Sequence, residues 1–187
     1  MSTNVVGTAS SLSARLGQSD QERPVRITVP EGQEPMQHLL TERVPHLMGK
    51  VTELSNAVYG TSTLPIREFE AARVRIAQIN GCQVCLSWRS ARDIPSRQDE
   101  QIPEEWYDHV GTDMGWDGFG ERERIAVEFA DRFARDHESM DDDFWNRLHA
   151  AFNDDEIVEL TICVGTWMFS GRMTRVFGVD AAACRIG

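Results

Sequence analysis

Basic residues are in deficit: 19 lysines and arginines stand against 30 aspartates and glutamates, a formal charge of −11 with pI ≈ 4.9. Such a field repels a phosphate backbone, so no nucleic-acid partner is expected. Long apolar runs are missing. No stretch approaches the roughly 20 residues a membrane span needs, and no membrane association is expected. The first residues contain no basic start leading into an apolar stretch. No secretory signal is therefore read, and a cytoplasmic location is expected. No segment repeats at a fixed period. Cysteine is scarce: Cys82, Cys85, Cys163 and Cys184 are all there are. An unexported chain of this size does not depend on structural disulfides, so the two close cysteines need a redox, metal or incidental explanation.

What is present suffices for one ordinary domain with a core, or one domain plus an arm. Apolar residues are 41% and charged residues 26% of 187, a globular composition. Residues 1–35 are rich in Ser, Thr, Gln, Gly and Pro and lack a helical period. They read as an arm, either a free tail or one that drapes over a neighbouring subunit. Within it Val25-Arg26-Ile27-Thr28-Val29 alternates like an edge strand.

Residues 36–187 read as a helical domain. Met36, Leu39, Leu40 and Val44 form one apolar stripe, and Pro45 ends or restarts that helix. Leu47, Val51, Leu54 and Val58 continue at steps of three and four, with Gly60 as the stop. Thr63 reads as the cap of the next helix and Pro65 as part of its first turn. That helix ends near Asn80-Gly81, and another is expected from Cys82 to just before Pro95. Residues 95–119 are a polar connection with a short helical turn at 104–109. Amphipathic helices follow at 121–136 and 141–152. The acidic groups Asp141 to Asp143 and Asp154 to Glu156 read as helix starts. The last helix, capped by Asp154 or Asp155, runs to Phe177 with Gly178 as its stop. It is apolar nearly all round, so the core or a second subunit must cover most of it. The fold class is all-α.

Cys82-Gln83-Val84-Cys85 falls at the start of a helix, where unpaired N–H groups and the helix dipole favour a thiolate. A spacing of three brings both sulfurs to one face, within reach of a disulfide. A thioredoxin-like site needs a strand before the motif, and here the preceding residues have a helical period. A zinc site needs two further ligands, and the other cysteines and the five histidines are scattered. No metal and no cofactor is expected. Two small core residues are the bland alternative. Glu70 lies 12 residues upstream on a face shared with Val74 and Ala77. It reads either as a solvated or arginine-paired carboxylate (Arg67 and Arg73 are close) or as a carboxylate of raised pKa able to move protons for a thiol.

At these residues the chain resembles a family. Leu64-Pro65-x-Arg67-Glu68, Glu70 and Asn80-Gly81-Cys82-x-x-Cys85 are similar to the core of the carboxymuconolactone decarboxylase/AhpD-like alkylhydroperoxidase family. Glu121-x-x-x-Ile125-Ala126-x-Glu128-Phe129-Ala130 and the stretch from Phe152 to Thr161 are similar to its second half. The resemblance spans about residues 36–180. It implies an all-helical homo-oligomer with thiol-dependent peroxidase or disulfide oxidoreductase activity. It further implies that Cys85 attacks a peroxide or disulfide substrate and Cys82 closes the disulfide. Glu70 would serve the attacking thiol through a relay, and an external dithiol would reduce the product. An acid–base enzyme on a carboxylate or lactone and a non-catalytic helical assembly protein are the alternatives.

The family pattern is Cys-x-x-Cys-x-x-x-His, and this chain has Arg89 at that histidine. A second family histidine, between the cysteines, is Val84. Arg89, one turn after Cys85, could stabilise the thiolate by charge, pair with Glu70 or Asp93, or clamp an anionic substrate. It cannot accept and return a proton near neutral pH. His137 and His149 are substitutes without a spacing argument, and Trp88 either packs in the core or shields the site. Losing a general base costs about 10²–10⁴-fold. Turnover below that of a complete relay is therefore expected, and Arg89→His should raise it in a steady-state assay with an organic peroxide and a dithiol. If Arg89 binds an anionic substrate instead, that variant should be inactive.

Overall fold

The structure, a computed structural model, describes residues 23–97 and 101–180. Among them every regular element is helical: α1 (Pro35–Thr41), α2 (Pro45–Thr61), α3 (Ile66–Asn80), α4 (Gln83–Ser87), α5 (Ser90–Asp93), α6 (Glu104–His109), α7 (Glu121–Arg135), α8 (Asp142–Ala151) and α9 (Asp154–Phe177). Single 3-10 turns sit at Pro95–Arg97 and His137–Ser139. The all-α class follows directly.

Helix α3 organises the rest. It is buried along nearly its whole length and packs most extensively on α7 and α9. One side joins Phe69, Ala72 and Ile76 to a core with Ile125, Phe129, Phe144, Leu148, Leu160, Val164 and Trp167. The other side joins Ala71 and Val74 to Trp106, Tyr107, Val110 and Phe119. A helix sandwiched this way has no solvent face, so any polar side chain on it must find a partner inside.

Several local readings change. Residues 25–29 form no strand; they run irregularly along the end of α9, where the Arg26 amide donates to Phe177 O at 2.9 Å. Alternation needs a neighbouring strand to become a ladder, and the described residues supply none. The rest of the arm, residues 1–22, lies outside the described residues. Gly60 does not stop α2, which runs through it to Thr61. A mid-helix glycine costs only about 1 kcal/mol, and the break comes instead at the segment before Pro65. Thr63 caps nothing: its amide and hydroxyl donate to Glu159 at 2.6 and 2.7 Å, tying the start of α3 to α9. Asn153, not Asp154 or Asp155, caps α9. Its Oδ1 accepts from the Glu156 amide at 3.0 Å while Glu156 Oε2 accepts from the Asn153 amide at 2.9 Å, a reciprocal capping box.

Helix α9 buries Ile157, Leu160, Cys163, Val164 and Trp167 but leaves Val158 59% and Val176 63% exposed, with Ile162 and Phe169 exposed between them. Of the α1–α2 stripe only Leu39 and Val58 are fully buried, while Leu40, Val44, Leu47 and Leu54 are exposed. A single copy of the described residues therefore does not cover either helix.

Asn80 pins the end of α3 to α9. Its Nδ2 donates to Trp167 O at 3.1 Å and its Oδ1 accepts from Arg172 Nε at 3.1 Å. Gly171 makes the approach possible, because a Cβ there would sit 2.6 Å from Asn80 Nδ2. Gly171→Ala is expected to destabilise the fold by about 1–3 kcal/mol through this overpacking. Urea denaturation should also show that adding Asn80→Ala recovers part of the loss, which an effect on α9 alone would not do.

Candidate redox site

The site begins where α3 stops. Gly81 takes a left-handed φ of 65° and its amide turns back to the Ala77 and Gln78 carbonyls, a conformation glycine adopts without strain. The turn delivers Cys82 to the N-cap of α4, where its sulfur accepts from the Cys85 amide at 3.3 Å. The two sulfurs are bonded, 2.09 Å apart, with Cα atoms at 5.3 Å. Cys82 is 1% exposed and lies 3.8 Å from the Thr174 hydroxyl on α9. Cys85 is half-buried.

Beneath the pair lies a buried ion pair. Glu70 and Arg73, on successive turns of α3, are 0% and 2% exposed. Arg73 Nε bonds Glu70 Oε1, and Nη2 reaches Oε2 at 3.0 Å. The remaining Glu70 partners are the Ser90 amide, 3.2 Å from Oε2, and the Tyr107 hydroxyl, 2.8 Å from it. Arg73 also reaches outward: Nη1 donates to Cys85 O at 2.7 Å and Nη2 to Trp88 O at 2.8 Å. One guanidinium thus joins the carboxylate to the backbone at Cys85.

This explains why 82–94 is not one helix. Between α4 and α5 the chain is extended at Trp88 and Arg89. The Cys85 and Trp88 carbonyls point at Arg73, which supplies the hydrogen bonds that a continuing helix would have supplied.

Burial alone would push the Glu70 carboxyl up. The Arg73 guanidinium, with hydrogen bonds from Arg73, Ser90 and Tyr107, outweighs it and holds the carboxyl below its ordinary value. Of the two readings of Glu70, the arginine-paired one holds and the raised pKa does not, because a bidentate arginine and two further donors favour the charged form more than burial opposes it. Burial pushes the Tyr59 hydroxyl up to about 12. Tyr107 is raised further, by burial and then by the Glu70 charge. These are the only tyrosines in the sequence, and both face the Glu70–Arg73 pair.

Arg89 does not pair through its side chain with Glu70 or Asp93. Its Nε and Nη2 hold Glu104 on α6 at 3.1 and 3.0 Å, and its Nη1 donates to Leu86 O and Trp88 O at 2.6 and 3.0 Å. The guanidinium lies 4.1 Å over the Tyr107 ring. Its partners are thus a carboxylate, two carbonyls and an aromatic face rather than a sulfur or Glu70. Asp93 meets only the backbone of Arg89, at 2.9 Å, and its side-chain partner is Arg92. Trp88 is 37% exposed and edges onto Tyr59 with centroids 6.3 Å apart. His137 and His149 sit on the surface beside Glu138 and Asp154. Cys163 is free and buried, and burial pushes its thiol up to about 12; Cys184 lies outside the described residues. No group of three His, Cys, Asp or Glu side chains among the described residues is arranged to hold a metal.

The structure therefore joins Cys85 to Glu70 through Arg73, buries Cys82 behind them, and moves Arg89 to the edge. The sequence offers Arg73 as a partner for Glu70 but does not show its reach to the Cys85 and Trp88 carbonyls, nor the parts of Tyr107 and Ser90. The three-residue offset from Glu70 is a usable signal for Arg73. Nothing in the polar connection marks Tyr107, 37 residues from Glu70.

No family model matches the chain, and no curated protein matches it. Among solved structures it is similar to one from Agrobacterium tumefaciens, described as a protein of unknown function and, provisionally, as an antioxidant defence protein AhpD. The two are 27% identical with a TM-score of 0.63, over 73% of this chain and 91% of that one. The fold is AhpD-like, in agreement with the resemblance carried by the cysteine motif.

Glu70→Gln leaves Arg73 buried without its counter-charge and is expected to cost about 3–5 kcal/mol. A carboxyl held below its ordinary 4.5 in the fold stabilises above that value and loses the contribution as pH falls through its folded pKa. Urea midpoints measured from pH 7 down to pH 3 should therefore fall more steeply for wild type than for Glu70→Gln.

Proposed function

We propose that the chain is a thiol-dependent peroxidase or disulfide oxidoreductase working through Cys82 and Cys85. The observation that carries this is the bonded pair itself, half-open at Cys85 and closed at Cys82, with its backbone gripped by a buried guanidinium–carboxylate pair. A structural staple needs no such partner.

The peroxidase cycle balances as follows. The Cys85 thiolate attacks the terminal oxygen of a hydroperoxide; the O–O bond breaks, an alkoxide leaves and takes up a proton, and Cys85 becomes a sulfenic acid. The Cys82 sulfur then attacks the Cys85 sulfur. The S–S bond forms and hydroxide leaves with the Cys82 proton as water. An external dithiol reduces the disulfide by exchange through a mixed disulfide and is itself oxidised. Cys85 is the better attacking group because a substrate can reach it, and Cys82 the better resolving group because it cannot meet peroxide first. Such a cycle fits a cytoplasm that keeps dithiol carriers reduced.

The acid–base alternative needed Glu70 to move protons and Arg89 to clamp an anion. Glu70 is committed to Arg73, and Arg89 to Glu104, so the geometry supports thiol chemistry better. The exposed apolar side chains of α9 and α1–α2 support a homo-oligomer, since uncovered apolar surface on several helices favours an interface.

Two measurements test these readings. Reduced protein given one equivalent of organic hydroperoxide should lose two titratable thiols, and a dithiol should restore them. Non-reducing digestion should join Cys82 to Cys85, and a bond from Cys85 to Cys163 or Cys184 would refute the assignment. Sedimentation at micromolar concentration should give a mass well above 21.1 kDa; a clean monomer refutes the interface.

A further inference from the structure

Arg89 stands where the family pattern has a histidine, and its contacts return to the site by another route. It holds helix α6 twice, by the Glu104 carboxylate and, one turn on, by the face of the Tyr107 ring 4.1 Å away. Tyr107 is 6% exposed and is wedged edge-on against Trp106 with centroids 5.0 Å apart. Held on both sides, its hydroxyl points at Glu70 Oε2 from 2.8 Å. The line of contact runs from Arg89 to Tyr107, to Glu70, to Arg73 and so to Cys85 O.

We propose that Tyr107 is a positioning residue for the chemistry at Cys85: its hydroxyl donates a hydrogen bond to Glu70 Oε2, and Arg89 clamps the ring that carries that hydroxyl. The proposal rests on the thiol chemistry read above. It also gives Arg89 a role that needs no contact with sulfur. A hydroxyl donated to a carboxylate favours the ionised form, and an ionised Glu70 keeps Arg73 charged-paired and aimed at the Cys85 carbonyl. Without that hydroxyl Glu70 Oε2 has one donor fewer, the carboxylate is held less firmly against Arg73, and the backbone at Cys85 loses part of its anchor. The charged and titratable groups facing Glu70 are Arg73, Tyr107, Tyr59 and, further off, Arg97. Those facing Tyr107 are Glu70, Arg73, Arg89 and, further off, Arg92.

The test compares wild type, Tyr107→Phe, Arg89→Ala, Arg89→His and the Tyr107→Phe/Arg89→Ala double variant, all full-length and reduced. Two rates are followed from pH 5 to 9: alkylation of Cys85 by iodoacetamide, read by mass spectrometry, and disulfide formation with cumene hydroperoxide. Tyr107→Phe should slow both by about tenfold and move the acid limb of each profile up by about one pH unit, the shift that a tenfold ratio represents. Arg89→Ala should give a smaller change in the same direction, and Arg89→His should match it rather than gain activity. The double variant should fall short of the product of the two single effects, because Arg89 acts largely through the ring and otherwise only through its bonds to Leu86 O and Trp88 O.

Wild-type rates and profiles in Tyr107→Phe, or a double variant that multiplies the single effects, overturn the proposal. If Phe at 107 compromises folding at the assay temperature, Arg89→Ala carries the test, and an unchanged alkylation profile there overturns it equally. Failure of the peroxidase reading looks different: wild type is then inert to peroxide while Cys85 alkylation still depends on Tyr107.

Discussion

The ion pair between Glu70 and Arg73 is the constraint on which the rest of the site depends. Two charges are placed on the most buried helix of the molecule, where an unpaired charge would be intolerable. They satisfy each other and still leave donors over. Arg73 uses its surplus on Cys85 O and Trp88 O, which breaks the chain after α4 and directs Arg89 toward α6. Glu70 uses its surplus on the Ser90 amide and Tyr107, which ties α5 and α6 to the same point. A core position, a helix break and the setting of a disulfide thus follow from one interaction.

Much of this was legible in the residues. The helical periods, the Asn-Gly stop before the cysteines and the Gly178 stop all have direct physical causes and appear as read. Gly60 and Thr63 misled because each has a common role that context removed: one sits inside a helix long enough to absorb it, the other is taken by Glu159. The disulfide was within reach by spacing alone. The break at Trp88 was not legible, since the cause lies 15 residues away in Arg73. Glu70 was read as a carboxylate, but its ionisation depends on donors from three segments that a sequence does not juxtapose.

Arg89 teaches the sharper lesson. Read as a replacement for a histidine, it looks like a lost relay or a cation for the thiolate. In place it does neither, because Glu104 and the Tyr107 ring compete successfully for the guanidinium. A planar cation finds a carboxylate and an aromatic face together more readily than a half-buried sulfur. At the position where the resemblance would place a histidine, this chain has a side chain that addresses α6.

The central claim is that Cys82 and Cys85 form a working redox couple rather than a staple. Equilibrating the protein against dithiol/disulfide buffers and counting alkylated Cys82 and Cys85 by mass gives the reduction potential directly. A working couple should lie near the thioredoxin-like range, at about −270 mV or above, where a cellular dithiol reduces it. A value below about −300 mV, the region of structural disulfides, would contradict the account.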